Sequence, residues 1–150
     1  MSIKGGTVSV AGAAVAMTLT SGVEAKGPTV KLTVTGPLLS KPIDITTPRA
    51  VSATVYGGEF IGAAATEPPK VLPRYTVSFH VQLPREQGLQ VMYVVYYARD
   101  PVTGHGFVYL PARGEEWGRL NSSTISRDGQ DGRWHHATQG WSDAIAASLP

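Results

Sequence analysis

Four histidines, His80, His105, His135 and His136, are the chain's only imidazole ligands, and cysteine is absent. A metal site needs two or three such groups converging with a carboxylate. His135 and His136 are neighbours, and on a strand neighbours point to opposite faces, so one sheet cannot offer both to one ion. No H-E-x-x-H spacing is present, and no metal site is expected. Asp128, Gln130 and Asp131 alternate with Gly129 and Gly132, but Gly132 falls at the fifth position of a calcium loop and no Glu follows, so a hairpin turn explains them.

Carboxylate chemistry has Glu115 and Glu116, beside Trp117, as its first candidates, with Asp100, Asp128 and Asp131 as distant partners. A glycosidase needs two carboxyls facing each other across a cleft about 5–10 Å wide, which neighbours in sequence seldom supply. G-x-S-x-G, P-loop and G-x-G-x-x-G patterns are missing, so no cofactor is expected. Glu115, Glu116, His105 and Asp100 are the residues a small secreted hydrolase would use. No catalytic residue is assigned.

Aromatic residues give the stronger signal. All three tryptophans (Trp117, Trp134, Trp141) and four of the six tyrosines (Tyr93, Tyr96, Tyr97, Tyr109) lie from position 93 onward. Exposed Tyr and Trp beside Arg99, Arg113 and Arg119 suit stacking on sugar rings or packing against a protein. Tyr93 and Tyr97 share a strand face and Tyr96 takes the other, so one set belongs to a core and the other to a surface. Tyr93, Tyr97, Tyr109, Trp117, Trp134, Arg99 and Arg113 are the candidate contact residues, for a protein or carbohydrate partner. The net charge of +2 is small and scattered, which argues against nucleic acid or an anionic membrane.

The elements that position these residues are β-patterned. Val and Ile (22) outnumber Leu (10) two to one, and 14 Thr add further β-branched side chains, which disfavours long helices. Thr29–Thr35 alternates, Pro42–Thr46 is a second short strand, and Ala50–Tyr56 is read as a third. Ala63–Pro73 has three prolines and no period, and reads as a surface loop. Tyr75, Val77, Phe79, Val81 and Leu83 form one apolar strand face. Gln90–Ala98 is apolar on both faces and reads as the central strand, with Asp100–Gly104 turning into Gly106–Leu110 as its hairpin partner. Leu120–Arg127 and Arg133–Ala137 read as another hairpin, and a short C-terminal helix is expected with Ser142 as its N-cap. The expected fold is all-β, an antiparallel sandwich or small open barrel with that helix at its end.

The opening residues have the order of a signal peptide. Lys4 precedes the small, apolar run Val8–Leu19, then Thr20-Ser21-Gly22 and Val23-Glu24-Ala25 follow, and the run is too short to span a bilayer. An ordinary strand is the competing reading, because Thr7–Val10 and Met17–Thr20 alternate. Residues 1–25 are accordingly read as a leader and 26–150 as one β-rich domain that folds without it. From Lys26 to Val30, Pro42 to Pro48 and Tyr93 to Ala137, the chain resembles a group of small exported bacterial proteins without assigned activity. Their marks are a KGPTV-like strand, a P-I-x-I-T-x-P segment and a Tyr- and Gly-rich end, here YVVYYARDPVTGHGFVYLP and beyond. The resemblance implies export, a secreted or periplasmic setting and a compact domain, and brings no catalytic residue or cofactor.

A central strand apolar on both faces must be covered on both. Val94→Asp would bury an unpaired charge at a cost of about 3 kcal/mol or more, whereas Ser78→Asp, on the polar face of its strand, should cost far less. The expected result is a much lower urea midpoint for Val94→Asp than for Ser78→Asp, and equal midpoints would reject the register.

Overall fold

A computed structural model describes residues 28–52, 60–124 and 130–150. The leader, Tyr56 with the end of the third expected strand, and Asp128 lie outside the described residues. The fold is all-β: a seven-stranded antiparallel open sheet with a few short helices. In chain order the elements are β1 (Thr29–Thr35), β2 (Ile43–Ile45), α1 (Pro48–Ser52), β3 (Ile61–Ala64), β4 (Tyr75–Val81), β5 (Gln90–Arg99), β6 (Gly106–Leu110), α2 (Gly118–Thr124), β7 (Arg133–Ala137) and α3 (Gln139–Ala146). Across the sheet the order is β2-β1-β4-β5-β6-β7-β3. Among the described residues no helix is long and apolar enough to cross a membrane.

The β4–β5–β6 meander is the centre that the alternation predicts. Phe79 pairs with Tyr93, Val77 with Val95 and Tyr75 with Tyr97, so the apolar set of β4 and these β5 residues share the inner face. Val108 and Leu110 of β6, Leu32 and Val34 of β1 and Ala137 of β7 extend it. Trp141 and Ile145 of α3, Ala50 of α1 and Phe60 close over that face. Phe79 and Tyr93 stack with ring centroids 4.0 Å apart, and Trp141 meets Tyr97 edge-on at 5.6 Å. Such ring pairs add to the area they bury.

Four expectations are corrected, beginning with the strand expected from Ala50. Pro48 begins α1, where Ala50 and Val51 both donate their N–H to the Thr47 carbonyl; Pro suits the first helical position because its missing N–H is not needed there. Leu120 lies in α2 rather than in a strand, and β7 pairs with β6 and β3 instead. Ser142 is not an N-cap: α3 begins at Gln139 after Thr138, and Ser142 is buried on its inner side, its hydroxyl 2.7 Å from that of Tyr97. A Cβ at Gly106 would collide with Ser142, so only glycine lets α3 settle there. The loop expected over Ala63–Pro73 is also shortened, because Ile61–Ala64 pairs with β7 as the sheet edge.

Val94 and Val95 are both fully buried, on opposite faces. α2 packs on β5, and its Asn121 is the contact that matters most. The Val94 N–H donates to Asn121 Oδ1 at 2.8 Å, and Asn121 Nδ2 donates to the Val94 carbonyl at 2.6 Å. Tyr96 pairs with Tyr109 and Ala98 with Phe107, so the next rung would set Val94 opposite Pro111, which has no N–H to give. The Asn121 amide supplies both halves of that rung. Removing a partner and leaving buried polar groups unmatched costs the full desolvation of those groups. Asn121→Ala is therefore expected to lose about 2–3 kcal/mol in urea unfolding, with a hydrogen-exchange loss centred on the Val94 amide.

Candidate functional site

The outer face of the sheet carries a row of rings in register, one from each of three neighbouring strands. Tyr96 of β5 pairs with Tyr109 of β6, and Tyr109 with Trp134 of β7. Their centroids lie 6.2 Å and 5.3 Å apart. The Arg74 guanidinium lies over Trp134, 4.9 Å from the ring centroid, and continues the stack. These rings, with Glu67, Arg74 and Gly132, line an open groove of about 560 Å³.

Each wall has a local cause. The loop after β3 is rich in proline, and Arg74 gathers its carbonyls, donating to Pro68 at 2.9 Å, Leu72 at 2.9 Å and Pro69 at 3.2 Å. Glu67 lies 3.8 Å from the same guanidinium, and the Ala65 N–H donates to the Trp134 carbonyl at 2.9 Å. With its donors engaged in this way, Arg74 fixes the wall. On the other flank the Tyr109 hydroxyl donates to Glu115, whose oxygens both lie at 2.9 Å, and the Ala112 N–H donates to the same carboxylate. The turn closes through Trp117, whose φ of 71° is left-handed, and a Cβ at Gly118 would collide with the Ala112 carbonyl.

Of the candidate contact residues, the structure brings Tyr109 and Trp134 together in the groove. Tyr93 and Tyr97 are corrected: at 4% and 0% exposure they belong to the core, because their register with Phe79 and Tyr75 sets them on the inner face. Trp117 (39% exposed) and Arg113 sit on the exposed turn before α2. Arg99 is half-buried away from the rings, 3.6 Å from Asp143. Tyr96, Arg74 and Glu67 are the members that sequence reasoning missed. Tyr96 could have been found from register with β4; Arg74 and Glu67, in or beside an aperiodic loop, offered no signal.

The four hydrolase candidates fall in two places. Glu115 and Glu116 flank the groove, while Asp100 and His105 belong to the β5–β6 turn. Asp100 accepts the Val102 N–H at 2.8 Å, and His105 is bonded to His136. Tyr109, which holds Glu115, is four residues from His105, or roughly 13 Å along a strand.

No known protein family, curated protein or solved structure matches the chain.

Burial pushes the Tyr97 phenol up to about 12, against the opposing bond to Ser142. Tyr109 also rises to about 12, through desolvation and then the Glu115 carboxylate that accepts its proton. Tyr96 is raised by burial, with Glu116 and Glu115 adding to it. A phenol whose pKa is higher in the folded state stabilises the fold fully below pH 10, and that contribution is lost as pH rises through the folded value. Tyr97→Phe should lower stability at pH 8 by about 1 kcal/mol through the lost hydroxyl bond. It should also flatten the fall in urea midpoint between pH 10 and pH 12, which parallel titrations of both proteins will check.

Proposed function

We propose that the chain is an exported binding domain that acts without catalysis and holds a glycan in the outer-face groove. One observation carries this reading: three rings from adjacent strands, in register, line a groove together with the side chains of Glu67 and Arg74. A groove on the face of a sheet gives a peptide no unpaired backbone N–H or C=O to join, and strand addition needs such an edge. Hydroxyl-rich rings need apolar edges and faces flanked by carboxylate and hydroxyl groups, which Tyr96, Tyr109, Trp134, Glu67 and Glu115 offer. The leader-like opening and the resemblance to small exported proteins support the exported setting. Against a hydrolase stands the separation of Glu115 from Asp100 and His105, together with the engagement of Glu115 by Tyr109 and Ala112.

The test is calorimetric titration of the full chain with a panel of neutral and acidic oligosaccharides. Trp134→Ala and Tyr109→Phe separate ring contact from hydroxyl contact. Saturable binding weakened about tenfold or more by Trp134→Ala is expected, as for an aromatic anchor at an interface. Binding unchanged by both substitutions, or no binding across the panel, overturns the glycan reading. Release of reducing ends would establish the hydrolase instead.

A further inference from the structure

His136 lies on the same outer face as the rings, one pleat repeat along β7 from Trp134, and His105 ends the turn that leads into β6, two residues before Phe107. Their facing nitrogens, His105 Nε2 and His136 Nδ1, are 2.6 Å apart. Both side chains are half-buried, so the pair is held yet reachable from solvent. Phe107 packs edge-on against His105 at 5.0 Å, and its ring lies 5.8 Å from that of His136. The backbone under the pair is fixed: the His105 carbonyl accepts the Asp100 N–H at 2.8 Å, the His105 N–H donates to Thr103 Oγ at 3.2 Å, and His136 is paired with Phe107 in the sheet.

We propose that His105 and His136 form a two-imidazole site for a divalent transition metal ion such as zinc or nickel. Two facing nitrogens, one from the turn before β6 and one from β7, make a minimal chelate, and imidazole suits these ions. Metal–nitrogen bonds of about 2.0–2.1 Å at a tetrahedral angle put the two nitrogens roughly 3.3 Å apart, so small side-chain rotations convert the contact into a chelate. In the neutral pair one ring donates its N–H to the other. On binding, that proton passes to the far nitrogen of the same ring, His105 Nδ1 or His136 Nε2, and no net proton is released. From a pair that carries one extra proton, one proton leaves to solvent.

The neighbouring charges leave the chelate intact. Asp100, close enough to His105 to feel its charge, is engaged in its own turn by Val102. Arg99 reaches toward Gly104 but lies 3.6 Å from Asp143, which also accepts from Gln139 at 2.7 Å. Among the described residues no cluster of three or more His, Cys, Asp or Glu could hold a metal, so water or oxygens of a bound ligand complete the coordination.

Titration of the untagged full chain with zinc and with nickel at pH 7.5 tests the proposal. One ion per chain is expected, with affinity reduced about tenfold or more in His105→Gln and in His136→Gln, and unchanged in His80→Asn. At pH 5.5 binding should be lost, because protonated imidazole cannot ligate. In the parent protein, proton NMR should show the ring Cε1–H signals of His105 and His136 shifting with zinc while those of His80 and His135 stay. This readout holds even if a variant fails to fold. Saturation absent up to about 1 mM free ion, or binding that survives both substitutions, overturns the site.

Discussion

Both faces of β5 are buried, and most of the remaining architecture answers to that. An alternating strand can leave one side to water, but Val94 and Val95 point opposite ways and neither is exposed. Burial on two faces requires two covering layers. The inner layer is α3, which brings Trp141 and Ile145 onto Phe79, Tyr97 and Val95. The outer layer is α2, and it covers the end of β5 that β6 does not reach. A buried strand end without a neighbour would strand its N–H and C=O, and the Asn121 amide prevents this at Val94.

Pro111 links that requirement to the groove. It ends the β6 ladder because it cannot donate, and it forces the chain to leave the sheet where Val94 would have been paired. The departing turn carries Glu115, which returns to the Tyr109 hydroxyl and the Ala112 N–H. The same departure thus builds one flank of the groove and delivers α2 onto β5. The opposite flank has a parallel origin. Prolines at 68, 69 and 73 keep that loop out of the sheet, and Arg74 satisfies its carbonyls while lying over Trp134.

How much of this could be read beforehand depended on length and period. Tyr75–Val81 and Gln90–Arg99 are long enough for alternation to speak, and the Asp100–Gly104 turn chemistry tied the second to Gly106–Leu110. α1 and α2 were legible only as strands, because five to seven residues hold fewer than two helical turns and Val51 and Leu120 fit either pattern. Ser142 looked like a cap by type, but its burial against Tyr97 comes from tertiary packing that local chemistry cannot announce. For the site, composition pointed to the right half of the chain. With both faces of β5 apolar, only the pairing of Tyr93 with Phe79 decides that Tyr93 and Tyr97 turn inward and Tyr96 outward. His105 and His136, 31 positions apart, meet only through β6–β7 register.

That register divides the work between the two faces. Along β6 the inner residues Gly106, Val108 and Leu110 pack, while Phe107 and Tyr109 face outward, following His105 of the preceding turn. Along β7 His135 and Ala137 are buried, while Trp134 and His136 face outward. A change on the outer face therefore removes little of the core, so the rings and imidazoles can be altered while the fold persists. Shifting β7 by one residue relative to β6 would reverse this, carrying Trp134 and His136 inward and His135 out. Such a slip is opposed from both sides: β3 holds Ala137 and His135 on the far edge, and α3 begins two residues beyond Ala137, with Trp141 seated against Phe60 and Phe79. The inner core thus sets the outer register, and the site inherits its geometry from packing it does not touch.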